Sequence, residues 1–136
     1  MNRITALFQD KQKEVLNVYY TAGFPELNDT VTVLAALQAG GVDIVEIGMP
    51  YSDPVADGET IQESNQKALE NGMSLNVLFE QLVDIREKGV TVPIVLMGYL
   101  NPVYQFGIEA FSKKGQEIGI DGLILPALPV DEYFRE

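Results

Sequence analysis

The sequence contains no cysteine, no histidine and no tryptophan, and the first two absences each remove a class of site. Without cysteine, the chain can form no disulfide and offers no thiolate ligand to a metal ion. Without histidine, proton transfer near neutral pH falls mainly to carboxylates, tyrosine or lysine. We therefore expect any catalytic acid or base in this chain to be one of those side chains.

Basic residues and long apolar runs are also scarce. The 136 residues include 9 Lys and Arg against 20 Asp and Glu, a formal net charge of −11. This charge argues against nucleic acid and anionic membranes as partners, because no basic patch is available to replace counterions. No apolar run approaches the ~20 residues of a membrane span, and the N-terminus lacks the apolar core of a signal peptide. We predict a soluble, cytoplasmic protein with no nucleic-acid or membrane partner.

Short apolar segments alternate with amphipathic ones along the whole chain. Residues 15–21, 43–47, 92–97 and 121–125 are predicted strands. The predicted helices are residues 2–13, a stretch capped by Asn28 or Asp29 that stops at Gly40, a stretch from Gly58 or Thr60 to Asn71, a stretch from Ser74 to Lys88, and residues 102–117. Strands of this kind pair in parallel, with helices on their faces.

This order predicts an α/β fold of parallel (β/α) units in a single domain over residues 1–136. Four strands could form a small open sheet of flavodoxin type or the first half of a TIM (β/α)₈ barrel. Such a barrel typically has roughly 250 residues, about twice the length of this chain. An open sheet would normally end with a covering helix, and the six residues after Val130 are too few to form one. We therefore favour the half-barrel, an incomplete barrel domain.

The most informative segment is residues 46–58, EIGMPYSDPVADG, which follows the second predicted strand. It places Glu46, Asp53 and Asp57 at the end of that strand and in a loop rich in Gly and Pro, where (β/α) enzymes carry their catalytic residues. Each carboxylate also has a simpler interpretation. Glu46 could be a solvated or structural residue, Asp57 a charge at a helix N-terminus, and Asp53 a turn residue before Pro54.

Residues 46–62, EIGMPYSDPVADGETIQ, resemble a long motif of the alpha subunit of tryptophan synthase. Residues 20–25, YTAGFP, and 97–102, MGYLNP, match two further segments of that family. The resemblance spans the whole chain but only the first half of the family's barrel. It implies a lyase of tryptophan biosynthesis that cleaves indole-3-glycerol phosphate, by a retro-aldol reaction, to indole and glyceraldehyde 3-phosphate.

The same resemblance implies roles for four residues. Glu46 matches the general acid–base that moves the protons, and Asp57 matches the carboxylate that binds the indole N–H as positive charge develops. Tyr19 and Tyr99 match residues that line the indole pocket; by themselves they would be read as core aromatics. No cofactor or metal is implied for this chain. Pyridoxal phosphate would belong to the partner, the tryptophan synthase beta subunit of an alpha2beta2 heterotetramer.

The chain also departs from the family pattern. The family's phosphate-binding segments follow the seventh and eighth strands, so we expect this fragment to be inactive alone. Ala127 stands where many members have an Asp implicated in signalling to the beta subunit, which puts that communication in doubt. Gly48 and Gly98 are interpreted as requirements of sharp strand-to-loop turns.

Two other functions remain open from the sequence. One is a related barrel enzyme that synthesises the same indole compound. Such enzymes generally use a Lys and a Glu at strand ends, and the predicted strand ends here carry no Lys, which disfavours this function. The other is a non-catalytic half-barrel that binds a beta-type partner or self-associates through its open strand edges.

Overall fold

A computed structural model describes residues 3–10, 15–50, 59–98 and 100–124. The strands are β1 (Asn17–Thr21), β2 (Ile44–Gly48), β3 (Ile94–Met97) and β4 (Gly122–Ile124). The helices are α1 (Arg3–Asp10), α2 (Asp29–Ala39), α3 (Glu59–Glu70), α4 (Leu75–Leu82), α5 (Leu100–Phe106) and α6 (Ile108–Ile118). In these ranges no helix is long and apolar enough to cross a membrane.

The four strands form one parallel sheet whose spatial order is the order of the sequence, β1-β2-β3-β4. A flavodoxin-type sheet would place its first strand between the second and the third. Each strand here instead pairs with the next strand along the chain, as successive strands of a (β/α) barrel do. The sheet therefore fits the predicted half-barrel and excludes the open-sheet alternative.

The two faces of the sheet have different environments. Val45 and Ile47 in β2 are fully buried in the core, whereas Glu46 between them is only half-buried. Because successive strand side chains point to opposite faces, Glu46 lies on the face opposite to that of Val45 and Ile47. The register pairs Glu46 with Tyr19 of β1 and with Val95 of β3, which places all three on that face.

The core lies between the other face of the sheet and the helices. Its fully buried large side chains come from α2, α4, the segment after α4, and the strands: Leu34, Leu78, Leu82, Ile85, Val45, Ile47, Ile94 and Leu96. Burying one such side chain stabilises the fold by roughly 1.5–3 kcal/mol. The core thus packs against the face that carries Val45 and Ile47, and the opposite face, which carries Glu46, is available for a site.

An ion network lies at the N-terminal ends of β3 and β4. The Asp121 carboxylate, 2% exposed, lies 3.2 Å from Arg3 Nη1 and 3.1 Å from Arg86 Nη2. It also accepts the backbone N–H of Ile94 at 3.0 Å, and Arg86 donates to the Gly119 carbonyl at 2.6 Å. Burial, and then the nearby Arg3 charge, lower the pKa of Arg86. Asp121 therefore ties α1 to the starts of β3 and β4, at the edge opposite Glu46.

Two predicted helices end differently from expectation. The helix that begins after Ser74 stops at Leu82 and does not continue to Lys88. In the turns that follow, Ile85 N–H bonds Leu82 and Gly89 N–H bonds Arg86, each reaching back three residues, which tightens the chain. The apolar spacing of this segment still directs Ile85 into the core, which is why the pattern resembled a continuing helix.

The single helix predicted over residues 102–117 is two helices, α5 and α6. Gly107 separates them with φ +103°, a conformation that residues other than glycine rarely adopt. Its N–H closes α5 by bonding the Val103 carbonyl at 2.9 Å, and its carbonyl accepts the Phe111 N–H at 2.8 Å. Apolar periodicity alone could not show this break, because the stripe continues across it.

Of the predicted helix caps, one is confirmed and one is not. Ser74 caps α4, with its Oγ accepting the Val77 N–H at 3.2 Å. Asn28 occupies the N-cap position of α2 but makes no side-chain capping bond. The neighbouring Asp29 instead accepts the Glu26 N–H at 3.1 Å, which orders the turn before the helix.

Candidate active site

The candidate site lies on the Glu46 face of the sheet, with Glu46 at the middle of β2 and not at the strand end predicted from the sequence. β2 positions Glu46 between two buried neighbours, so its backbone is fixed while its carboxylate is half-buried on the open face. Tyr19 is its register partner on β1. The structure therefore brings together two of the four residues that the sequence pointed to, a carboxylate and a phenol.

The other two predicted site residues, Asp57 and Tyr99, lie outside the described residues, as do Asp53 and Ala127. Helix α3 begins at Glu59, directly after the segment that carries Asp57. Their predicted roles remain predictions.

Gly48 allows the Tyr19 side chain to cross β2. A Cβ atom on Gly48 would overlap the phenol oxygen and would lie 2.6 Å from Cζ and 2.9 Å from Cε2 of Tyr19. The described glycines with positive φ do not include Gly48. The prediction that Gly48 serves a sharp turn is therefore wrong, because what its missing side chain provides is space for Tyr19.

Gly98 has a comparable role beside β3. A Cβ atom there would lie 2.8 Å from Cε of Met49, and Gly98 is also absent from the described glycines with positive φ. The residue accommodates the buried Met49 side chain, which is 2% exposed. The turn interpretation is wrong here as well.

Hydroxyl groups continue from Tyr19 to helix α3. The Tyr19 phenol oxygen lies 3.4 Å from Oγ1 of Thr21, a weak contact, and Thr21 Oγ1 lies 2.8 Å from Oγ of Ser64. Thr21 is 4% exposed, so this is a buried polar link between the end of β1 and α3. Neither hydroxyl was predicted from the sequence as part of the site. The available signal was that Thr21, two residues after Tyr19, shares its face of β1.

Side-chain hydrogen bonds also hold the loop that follows β1. Thr30 Oγ1 accepts the Gly23 N–H at 2.9 Å, and Asn71 Nδ2 donates to the carbonyls of Gly23 at 3.0 Å and Pro25 at 2.7 Å. The Tyr20 hydroxyl donates to the Thr30 carbonyl at 2.7 Å, and burial raises the pKa of Tyr20. This loop is thus tied to both α2 and the end of α3.

The arrangement suits proton transfer and hydrogen bonding by half-buried side chains. A half-buried carboxylate on a fixed strand can exchange protons with a bound molecule, and a seated phenol can orient it. Among the described residues, no cluster of three or more acidic side chains could hold a metal ion. The positions of Glu46 and Tyr19 therefore agree with proton transfer by a carboxylate.

Comparison with known sequences gives a consistent result. The protein-family model described as tryptophan synthase alpha chain matches residues 5–135. The chain is 56% identical over 136 residues to the tryptophan synthase alpha chain of Flavobacterium johnsoniae, covering all of this chain and 53% of that protein. It is 54% identical to that of Parabacteroides distasonis, covering 100% of this chain and 52% of the relative.

Solved structures agree with the sequence matches. Tryptophan synthase subunit alpha from Legionella pneumophila superposes with a TM-score of 0.90 at 36% identity, covering 97% of this chain and 52% of that one. Tryptophan synthase from M. tuberculosis, in its aminoacrylate-bound form, gives a TM-score of 0.88 at 33% identity over 99% and 56% of the two chains.

These matches confirm the fold as the first four (β/α) units of a TIM barrel. The chain spans about half the length of the curated relatives that it matches. The family match over nearly every residue, together with the four-stranded parallel sheet that carries Glu46, shows that the chain belongs to the tryptophan synthase alpha chain family.

Proposed function

We propose that this chain supplies the acid–base half of a carbon–carbon lyase site that cleaves indole-3-glycerol phosphate to indole and glyceraldehyde 3-phosphate. The observation that carries the proposal is Glu46, half-buried at the middle of β2 in a chain of this family. Tryptophan biosynthesis is the role of the family, and the cleavage reaction requires a group that gives and takes protons.

The cleavage needs two proton movements. Carbon 3 of the indole ring gains a proton, which makes the bond to the side chain breakable, and the side-chain hydroxyl loses one as the aldehyde forms. One carboxyl group can give the first proton and take the second, so no net proton is consumed. We assign this exchange to Glu46, which the strand holds in a fixed position between Val45 and Ile47.

Asp57 is proposed to accept a hydrogen bond from the indole N–H, stabilising the positive charge that develops on protonation of the ring. Tyr99, with Tyr19, is proposed to line the indole pocket. The proposed partner is a tryptophan synthase beta subunit in the cytoplasm, and that subunit would carry the pyridoxal phosphate. In this account residues 1–136 are one incomplete barrel domain, and the phosphate-binding segments belong to the other half.

The proposal predicts that activity requires both halves of the barrel. A chimera that continues this chain after Glu136 with the C-terminal half of the Flavobacterium johnsoniae relative should release indole from indole-3-glycerol phosphate. The 136-residue chain alone should be at least about 10³-fold slower, because binding of a remote phosphate supplies energy that a truncated site lacks. Indole release by both proteins is measured under the same conditions. Comparable rates for the chimera and the 136-residue chain would contradict the assignment of the phosphate-binding residues to the other half of the barrel.

A non-catalytic role is the second candidate, favoured by the exposed edge of the sheet. In the described residues β4 pairs with β3 alone, and Leu123 and Ile124 are 42% and 39% exposed. Such an edge can pair with another chain. Light scattering of the 136-residue chain would show a monodisperse dimer in this case. A folded monomer would count against it.

A further inference from the structure

The link from Tyr19 through Thr21 to Ser64 connects two parts of the proposed site. Tyr19 lies on the Glu46 face, and Ser64 lies on α3, the helix that directly follows the segment carrying Asp57. Thr21 Oγ1 bridges them with a 2.8 Å bond to Ser64 and a 3.4 Å contact with the phenol oxygen. A second link joins the same elements, since Asn71, just after α3, donates to the carbonyl of Gly23 at 3.0 Å.

We propose that Thr21 and Ser64 are positioning residues that seat the Tyr19 phenol against Gly48 and thereby set the affinity of the site for its indole substrate. This inference rests on the proposed function. Neither hydroxyl touches the substrate; both act through Tyr19 and through the placement of α3.

Packing and hydrogen bonding make separate contributions to the position of the Tyr19 phenol beside Gly48. Gly48 provides the space, since any side chain there would collide with the phenol ring. The 3.4 Å contact between the phenol oxygen and Thr21 is weak by itself. The 2.8 Å bond to Ser64 holds the Thr21 hydroxyl in one orientation, so the chain of hydroxyls presents a fixed partner to the phenol.

The buried position of Thr21 raises the cost of breaking this link. Thr21 is 4% exposed, and a buried hydroxyl that loses its partner is destabilising. Substitution of Ser64 therefore has two effects, a loss of stability and a displaced phenol. A test must separate them, because a merely structural link would show only the first.

The variants are Ser64→Ala and Thr21→Val, made in the chimera, with Thr21→Ser as the conservative variant that keeps the hydroxyl. Ser74→Ala is the matched control, since it removes the capping bond of α4 without touching Tyr19. We expect Ser64→Ala and Thr21→Val to raise KM for indole-3-glycerol phosphate by about threefold to tenfold, the equivalent of one lost hydrogen bond, with kcat within about twofold. Thr21→Ser, which keeps a hydroxyl, should have a KM close to that of the parent chimera, and Ser74→Ala should leave KM unchanged.

Ring signals of ¹³C-labelled tyrosine, with Tyr19 assigned through Tyr19→Phe, give a readout that does not depend on turnover. The Tyr19 signals should shift in Ser64→Ala and Thr21→Val and stay in place in Ser74→Ala. Unchanged KM together with unchanged Tyr19 signals would overturn the proposal and leave a structural link only. If the parent chimera fails to cleave the substrate, the proposed function fails, while the Tyr19 signals still decide whether the two hydroxyls seat the phenol.

Discussion

Glu46→Gln in the chimera is expected to lower kcat for indole-3-glycerol phosphate cleavage by about 10²-fold to 10⁴-fold, the usual contribution of a general acid–base. Glutamine keeps the shape of the side chain and its hydrogen-bonding ability but cannot exchange a proton. KM should change little, because the lost interaction acts in the transition state more than in binding. The rate is followed by coupling the released glyceraldehyde 3-phosphate to its dehydrogenase.

Glu63→Gln is the matched control for this substitution. Glu63 is an exposed carboxylate on α3, so the same chemical change there should leave kcat within about twofold. A Glu46→Gln chimera that retains more than about a tenth of the parental kcat would remove Glu46 from the proton-transfer role.

Asp121→Asn is expected to lower the free energy of unfolding by about 3 kcal/mol, the largest stability effect that we predict for a single site. The carboxylate is 2% exposed and faces both Arg3 and Arg86. Asparagine fills the same space but removes the Asp121 countercharge from the two guanidinium groups, and Arg86 is largely removed from water. Urea unfolding followed by circular dichroism measures the change.

Asp84→Asn provides the comparison for an exposed ion pair. Asp84 lies 3.3 Å from Lys88, and the two side chains are 44% and 59% exposed. Water and salt screen such a pair, so the substitution should cost no more than about 0.5 kcal/mol. Equal losses for the two substitutions would show that the Asp121 network is not a special source of stability.

The sequence predicted the elements of the fold because their signals are local. Apolar strands and amphipathic helices alternate, and the Glu46 segment marks the end of β2. Strand order required the structure, since periodicity is the same in an open sheet and in a barrel. The α5–α6 break at Gly107 was missed because a helix-period stripe runs through it, and only the positive φ at that glycine separates the helices.

For the site, residue type and position in a predicted strand made Glu46 a candidate, and the family resemblance favoured Glu46 over its simpler interpretation and added Tyr19; both roles stay predictions. Thr21 and Ser64 could not be found in this way. They lie 43 positions apart along the chain, and their contact depends on how α3 packs against β1. Gly48 was identified but assigned the wrong reason, because the need for space arises from Tyr19 on the neighbouring strand.

In the proposed mechanism, Glu46 of this chain delivers a proton to carbon 3 of the indole ring as the carbon–carbon bond breaks. The most direct measurement is cleavage of indole-3-glycerol phosphate by the chimera in D₂O, with the released indole analysed by mass spectrometry and proton NMR. We expect one deuterium at carbon 3 of each indole formed by the parent chimera. Indole added to the buffer alone should remain unlabelled, and the Glu46→Gln chimera should release almost no indole. Indole released without deuterium at that carbon, or labelled indole released by Glu46→Gln at the parental rate, would contradict this mechanism.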